Sequence, residues 1–158
     1  MKSVFLVRHS FAEYSYSKSD FDRELSSEGY QQIAEQYAII ENKKESIDLI
    51  ISSSAVRARQ TAEDFEKRLK INNDIVFLDW LYNAYAIDDL IHLLQSISNT
   101  SQSVMLIAHN PTISAIANQF LPSTYYMFNP CGILKLTFEI DDWKQLNAFD
   151  GKEDYFLN

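Results

Sequence analysis

The sequence predicts a three-layer α/β fold, with a mainly parallel central sheet, helices on both faces and an antiparallel edge strand near the C-terminus. Two observations point there. Four short apolar runs are continuous rather than alternating, the pattern of strands covered on both faces. Between them apolar residues recur at helical spacing, and strands alternating with helices build layers around a parallel sheet.

In chain order the strand runs are Val4-Phe5-Leu6-Val7, Leu49-Ile50-Ile51, Ile75-Val76-Phe77-Leu78 and Val104-Met105-Leu106-Ile107. The helical stripes are Tyr30/Ile33/Ala34/Tyr37, Ala58/Ala62/Phe65/Leu69, Ile87/Leu90/Ile91/Leu94 and Ile113/Ile116/Ala117/Phe120. The first, third and fourth follow i, i+3, i+4, i+7 and the second the similar i, i+4, i+7, i+11, the spacing of amphipathic helices. Leu134, Leu136 and Phe138 alternate with Lys135, Thr137 and Glu139, which reads as a half-exposed antiparallel strand at an edge.

Of 158 residues, 46% are hydrophobic and 23% charged. That is too apolar for disorder and suits one globular domain, expected over residues 1–158. The net charge of −8 argues against nonspecific nucleic-acid binding, which runs on surplus Lys and Arg. No stretch approaches the roughly 20 apolar residues of a membrane span. The first apolar run ends at Arg8, too soon for a signal peptide. Cys131 is the only cysteine, which excludes an intrachain disulfide and fits a reducing cytosol. A cytoplasmic protein without membrane or nucleic-acid partners is the expectation.

In open α/β sheets ligands bind beyond the carboxyl ends of the strands. Arg8-His9-Ser10 follows the first run, Ser52-Ser53-Ser54 and then Arg57 follow the second, and His109-Asn110-Pro111 follows the fourth. If those strands are parallel, both histidines and both arginines share one rim. An arginine fork can hold phosphate oxygens in a bidentate way. A neutral histidine is a competent nucleophile. Ser53 and Ser54 are expected to cap a helix in whose first turn Arg57 sits. A cation there is unfavourable for the helix alone, and an anionic ligand would offset it. Asn110 is expected at the N-cap and Pro111 at the first position of another helix. His92 shares its helix face with Asp88, Asp89 and Gln95 and is expected to be solvated. No clustered carboxylate or cysteine ligands of the usual kinds are visible, so neither metal nor cofactor is expected.

These motifs resemble the histidine phosphatase superfamily, the phosphoglycerate mutase-like family. Three segments carry the resemblance in order: Val4 to Ser10 for the strand and Arg-His motif, Ser53 to Ala62 for the Ser-x-x-x-Arg-Ala-x-Gln-Thr-Ala stretch, and Leu106 to Pro111 for the strand ending in histidine. Within the superfamily the chain looks closest to small SixA-like phosphohistidine phosphatases. Asp22 to Gly29 is similar to a segment of that group, with Arg23 matching an arginine near the phosphate. Ser10 stands where Gly or Ala is usual, and Ser54 where proline is common.

The resemblance implies a metal-independent phosphatase in which His9 is phosphorylated and Arg8, Arg57 and a charged His109 hold the phosphoryl oxygens, with Arg23 assisting. It also implies that the large helical cap of bigger relatives is absent, because the segment from Ala62 to Ala108 is short. Asp79 and Glu13 are candidates for the general acid. Protein phosphohistidine is the favoured substrate, a small-metabolite phosphate ester the alternative, and a catalytically silent phosphate-binding module the reading outside enzymes.

Overall fold

The computed structural model describes residues 1–83 and 87–158. Its six strands are β1 (Lys2–Arg8), β2 (Leu49–Ser53), β3 (Val76–Leu78), β4 (Ser103–Ala108), β5 (Ile133–Phe138) and β6 (Lys152–Leu157). They form one sheet in the order β3-β2-β4-β1-β5-β6. β3, β2, β4 and β1 pair in parallel. β5 runs antiparallel to β1, and β6 antiparallel to β5.

Four helices intervene: α1 (Ser27–Asn42), α2 (Val56–Leu69), α3 (Ile87–Gln95) and α4 (Thr112–Phe120). They cover both faces, and β1 shows how its sequence divides the core. Successive strand residues point to opposite faces. Val4 and Leu6 join a cluster with Leu90, Leu94, Ile113 and Phe120 from α3 and α4. Phe5 and Val7 join a second cluster with Ile33, Ala58, Ala62 and Phe65 from α1 and α2. A run with apolar residues at every position is therefore what this central strand requires. The expected stripes of α2 and α4 face the sheet. On α1 the buried face is Gly29, Ile33 and Ile40, and Tyr30 is exposed. In the α3 stripe, the side chain of Ile87 lies outside the described residues.

Three expectations are corrected. β5 alternates buried and half-buried residues as expected, but it is not the edge, because β6 covers it. β6 escapes a hydrophobicity reading because its first half, Lys152-Glu153-Asp154, is charged and exposed. α2 starts after Ala55 with no side-chain cap, so neither Ser53 nor Ser54 is the N-cap. α4 has Pro111 at the N-cap rather than at the first helical position, and Asn110 is not the cap. The Asn110 amide instead bridges outward, donating from Nδ2 to the Phe128 carbonyl at 3.1 Å and accepting at Oδ1 from Ser114 at 3.2 Å.

Candidate active site

Parallel pairing of β1 with β4 and of β4 with β2 puts three carboxyl ends side by side. Arg8 and His9 come from the first, Ser53 from the second and His109 from the third. Arg57 reaches in from the first turn of α2 and is almost fully buried. Arg8, His9, Arg23, Arg57 and His109 line one cavity of about 360 Å³. All five site residues singled out in the sequence therefore meet in one place.

The loop after β1 is held down firmly. Ser10 is fully buried; its N–H donates to Thr61 Oγ1 at 3.1 Å and its hydroxyl to the Gly29 carbonyl at 2.7 Å. A hydroxyl at this position thus has an acceptor waiting. Gly29 is needed for the approach, since a Cβ there would lie 2.2 Å from the Phe11 carbonyl oxygen. Below the loop Cys131 is buried, and its N–H donates to the His9 carbonyl at 3.2 Å.

The partners of His9 fix its tautomer. Nδ1 lies 2.8 Å from the Ser10 carbonyl, which can only accept. Nε2 lies 3.1 Å from Arg57 Nε, which can only donate. The proton is therefore on Nδ1 and the lone pair on Nε2. Burial pushes the His9 pKa down to about 3, helped by the neighbouring His109, Arg57 and Arg8. At neutral pH the ring is uncharged.

His109 is also held neutral in the unliganded site. Burial, with Arg57 and Arg8, pushes its pKa down to about 4, against the opposing pull of Asp20. Its Nε2 lies 2.9 Å from Ser53 Oγ. The two imidazoles are 4.8 Å apart between centroids. Among the described residues, His109 Nδ1 and Arg8 Nε are buried without a hydrogen-bond partner. Arg8 Nη1 donates to the Phe128 carbonyl at 2.8 Å. Two buried polar atoms left open beside a neutral histidine mark a place built for a polar ligand.

Neither expected acid is here. Asp79 is exposed in a short 3-10 turn, Asp79–Tyr82, and lines neither cavity at this rim. Glu13 is exposed and takes part through its backbone, its carbonyl accepting from Arg23 Nε at 3.0 Å. The carboxylate in the site is Asp20, which the sequence reading missed. Its Oδ2 receives Arg57 Nη2 at 2.9 Å and the Tyr82 hydroxyl at 2.7 Å, and its Oδ1 receives Arg23 Nη1 at 3.1 Å. Arg57 Nη1 also donates to the Asp20 carbonyl. The Tyr82 hydroxyl, with Arg23 and Arg57, holds the Asp20 carboxyl well below the usual carboxylate range, against the effect of burial. Tyr82 was missed as well; it packs edge-on against His109, 5.3 Å between centroids. The only faint signal was Asp20 lying three residues before Arg23. Among the described residues no group of three or more His, Cys, Asp or Glu side chains could hold a metal ion.

The sequence matches the family model of the histidine phosphatase superfamily (branch 1) over residues 4–81. That match takes in Arg8, His9 and Arg57, so the resemblance to the histidine phosphatase superfamily covers the first two of the three site motifs. The chain's fold is that of a solved protein histidine phosphatase SixA complexed with tungstate, with TM-score 0.84, 23% identity, and coverage of 98% of this chain and 96% of that one. A putative phosphohistidine phosphatase SixA from Agrobacterium tumefaciens superposes with TM-score 0.77 at 29% identity, covering 99% and 98%. A mycobacterial glucosyl-3-phosphoglycerate phosphatase shares the fold at TM-score 0.69 and 16% identity, covering 98% and 97%. No curated protein matches the sequence. Among the described residues no helix is long and apolar enough to cross a membrane.

Proposed function

We propose that the chain is a phosphatase that hydrolyses protein phosphohistidine through a phosphorylated His9. The observation that carries this reading is the state of His9, neutral with the Nε2 lone pair facing Arg57 at 3.1 Å. In the free protein the Arg57 Nε–H covers that lone pair. A phosphoryl group in the cavity is the better partner for a guanidinium, and its binding uncovers Nε2 for in-line attack. Nδ1–H stays on the Ser10 carbonyl and disperses the positive charge that the ring gains. Arg8, Arg23 and Arg57 neutralise the equatorial oxygens, and such positioning and electrostatics do most of the work of phosphoryl transfer. A bound dianion favours the protonated form of His109, whose Nδ1 then becomes a further donor. Water hydrolyses the phosphohistidine in the second step.

Phosphohistidine is favoured over an alkyl ester by the leaving group. Imidazole departs more easily than an alkoxide, and no carboxyl group near His9 is held protonated. Asp79 and Glu13 are outside both cavities, and Asp20 is ionised. We take the site to be uncapped, on a single domain, which leaves room for a protein-borne substrate. The decisive experiment offers the purified protein phosphohistidine peptides, phenyl phosphate and alkyl phosphates. Turnover of phosphohistidine, lost in His9→Ala, is expected. Faster turnover of alkyl esters would favour the metabolite phosphatase, and tight phosphate binding without any turnover the silent module.

A further inference from the structure

Among the described residues two adjoining cavities meet at the site. Beside the His9 cavity lies a second, of about 150 Å³, lined by Tyr82, Asn83, Pro111 and Thr112. Asp20, Arg57, His109 and Asn110 line both. The charges are divided unequally. Arg8 and Arg23 line only the His9 side. On the far side the residues not shared between the cavities are all neutral, so Asp20 is the one anionic group there among the lining residues.

We infer that the Asp20 carboxylate selects the leaving group, receiving the ring N–H of a protonated phosphohistidine in the second cavity and disfavouring leaving groups that carry negative charge. The inference rests on the phosphohistidine reading above and assigns a residue to its specificity. The chemistry is balanced without an acid. His9 Nε2 supplies the electron pair of the new P–N bond, and the old P–N bond returns its pair to the substrate ring nitrogen. The ring keeps the proton on its other nitrogen and leaves as neutral imidazole. A protonated substrate ring is therefore the reactive form. A carboxylate facing its N–H favours that form. The same carboxylate repels a phenolate or an alkoxide as charge develops on it.

Asp20 suits this task because it is anchored and still open. Arg57, Arg23, Tyr82 and His109 are the charged and titratable groups that face it, and the first three fix both oxygens. Its side chain nevertheless remains 56% exposed, which leaves lone-pair directions free for a ligand. Asp20 touches the substrate in this scheme and does not accept or give a proton.

The test compares wild type with Asp20→Asn on a phosphohistidine peptide and on phenyl phosphate between pH 5 and 9. With Asp20→Asn, kcat/KM for phosphohistidine is expected to fall about 10–100-fold, the worth of one hydrogen bond to a charged group. Phenyl phosphate turnover should rise. The alkaline limb of kcat for phosphohistidine, which reports ionisation in the bound complex, should move to lower pH. Asp20→Glu should recover part of the phosphohistidine rate. Equal losses on both substrates with an unmoved limb would mean that Asp20 only positions Arg57, and the inference fails. No change on phosphohistidine also overturns it, with the phosphatase reading intact. If wild type cleaves phenyl phosphate through His9 but never phosphohistidine, the substrate reading and this inference fall together.

Discussion

The two ends of the sheet each carry a cavity of about 360 Å³, and they differ in what their charges have left to do. At the amino end every principal charge is matched. Lys2 is fully buried, yet Nζ donates to the Asn99 and Ser101 carbonyls at 3.1 and 3.0 Å and lies over the Trp143 ring. Asp48 Oδ2 receives the N–H groups of Gln102 and Ser103. Lys135 is paired with Glu45 and Asp154. At the carboxyl end three arginines converge on two neutral histidines, and Arg8 Nε and His109 Nδ1 have no partner among the described residues. Equal volume therefore says little about function. What distinguishes the carboxyl end is that a guanidinium and an imidazole keep unmet atoms there, whereas the charges of the amino end are paired.

Substitutions at the two ends should separate activity from stability. The largest effect is expected from His9→Ala, which should lower phosphate release by at least about 10³-fold, as loss of a nucleophile does. Circular dichroism should show the fold intact. Wild-type rates in that variant would remove His9 from the chemistry. Arg57→Gln comes next, with kcat down about 10²–10³-fold, the usual cost of removing one preorganised donor.

At the opposite end, Lys2→Met should do the reverse. It strands two carbonyls and should cost about 2 kcal/mol of stability in urea denaturation, while kcat/KM of the folded protein stays at wild type. A drop in kcat/KM there would erase the contrast between the ends.

The pH dependence sharpens the same point. The folded-state pKa values of His9 and His109, about 3 and about 4, lie below their ordinary value. The unfolded chain therefore takes up protons first as pH falls. Their contribution to stability is complete above about 6.5 and is lost as pH drops towards those folded values. NMR should find both rings uncharged at pH 5.5, and tungstate should move the His109 titration upward. The smallest expected effect is that of EDTA, which should leave turnover unchanged, because the positive charge is assigned to Arg8, Arg23 and Arg57.

Legibility followed the kind of interaction. β1, β2 and β4 were visible because strands buried on both faces must be apolar throughout, and Arg8, His9, Arg57 and His109 were visible because they stand at strand ends or in the first turn after one. Asp20 and Tyr82 were not, because tertiary closure places them. Ala12 and Leu25 form an isolated antiparallel bridge, which closes the intervening loop and carries Asp20 and Arg23 to the rim. No periodicity records that. The lowered pKa of His109 in the free site was hidden for a related reason, since burial beside Arg57 and Arg8 depends on neighbours distant in sequence. Helix starts moved by a residue or two, as cap assignments commonly do.

Cys131 gives the site a last property, its tolerance of oxidants. Phosphatases that attack through a thiolate expose a sulfur that peroxide readily converts to sulfenic acid. Here the one thiol lies 1% exposed behind the loop that holds His9, and burial pushes its pKa up to about 12. In the proposed mechanism the reacting atom is a nitrogen, with no comparable oxidation chemistry. Turnover by the proposed mechanism should therefore persist through peroxide or iodoacetamide treatment that silences a cysteine-based enzyme.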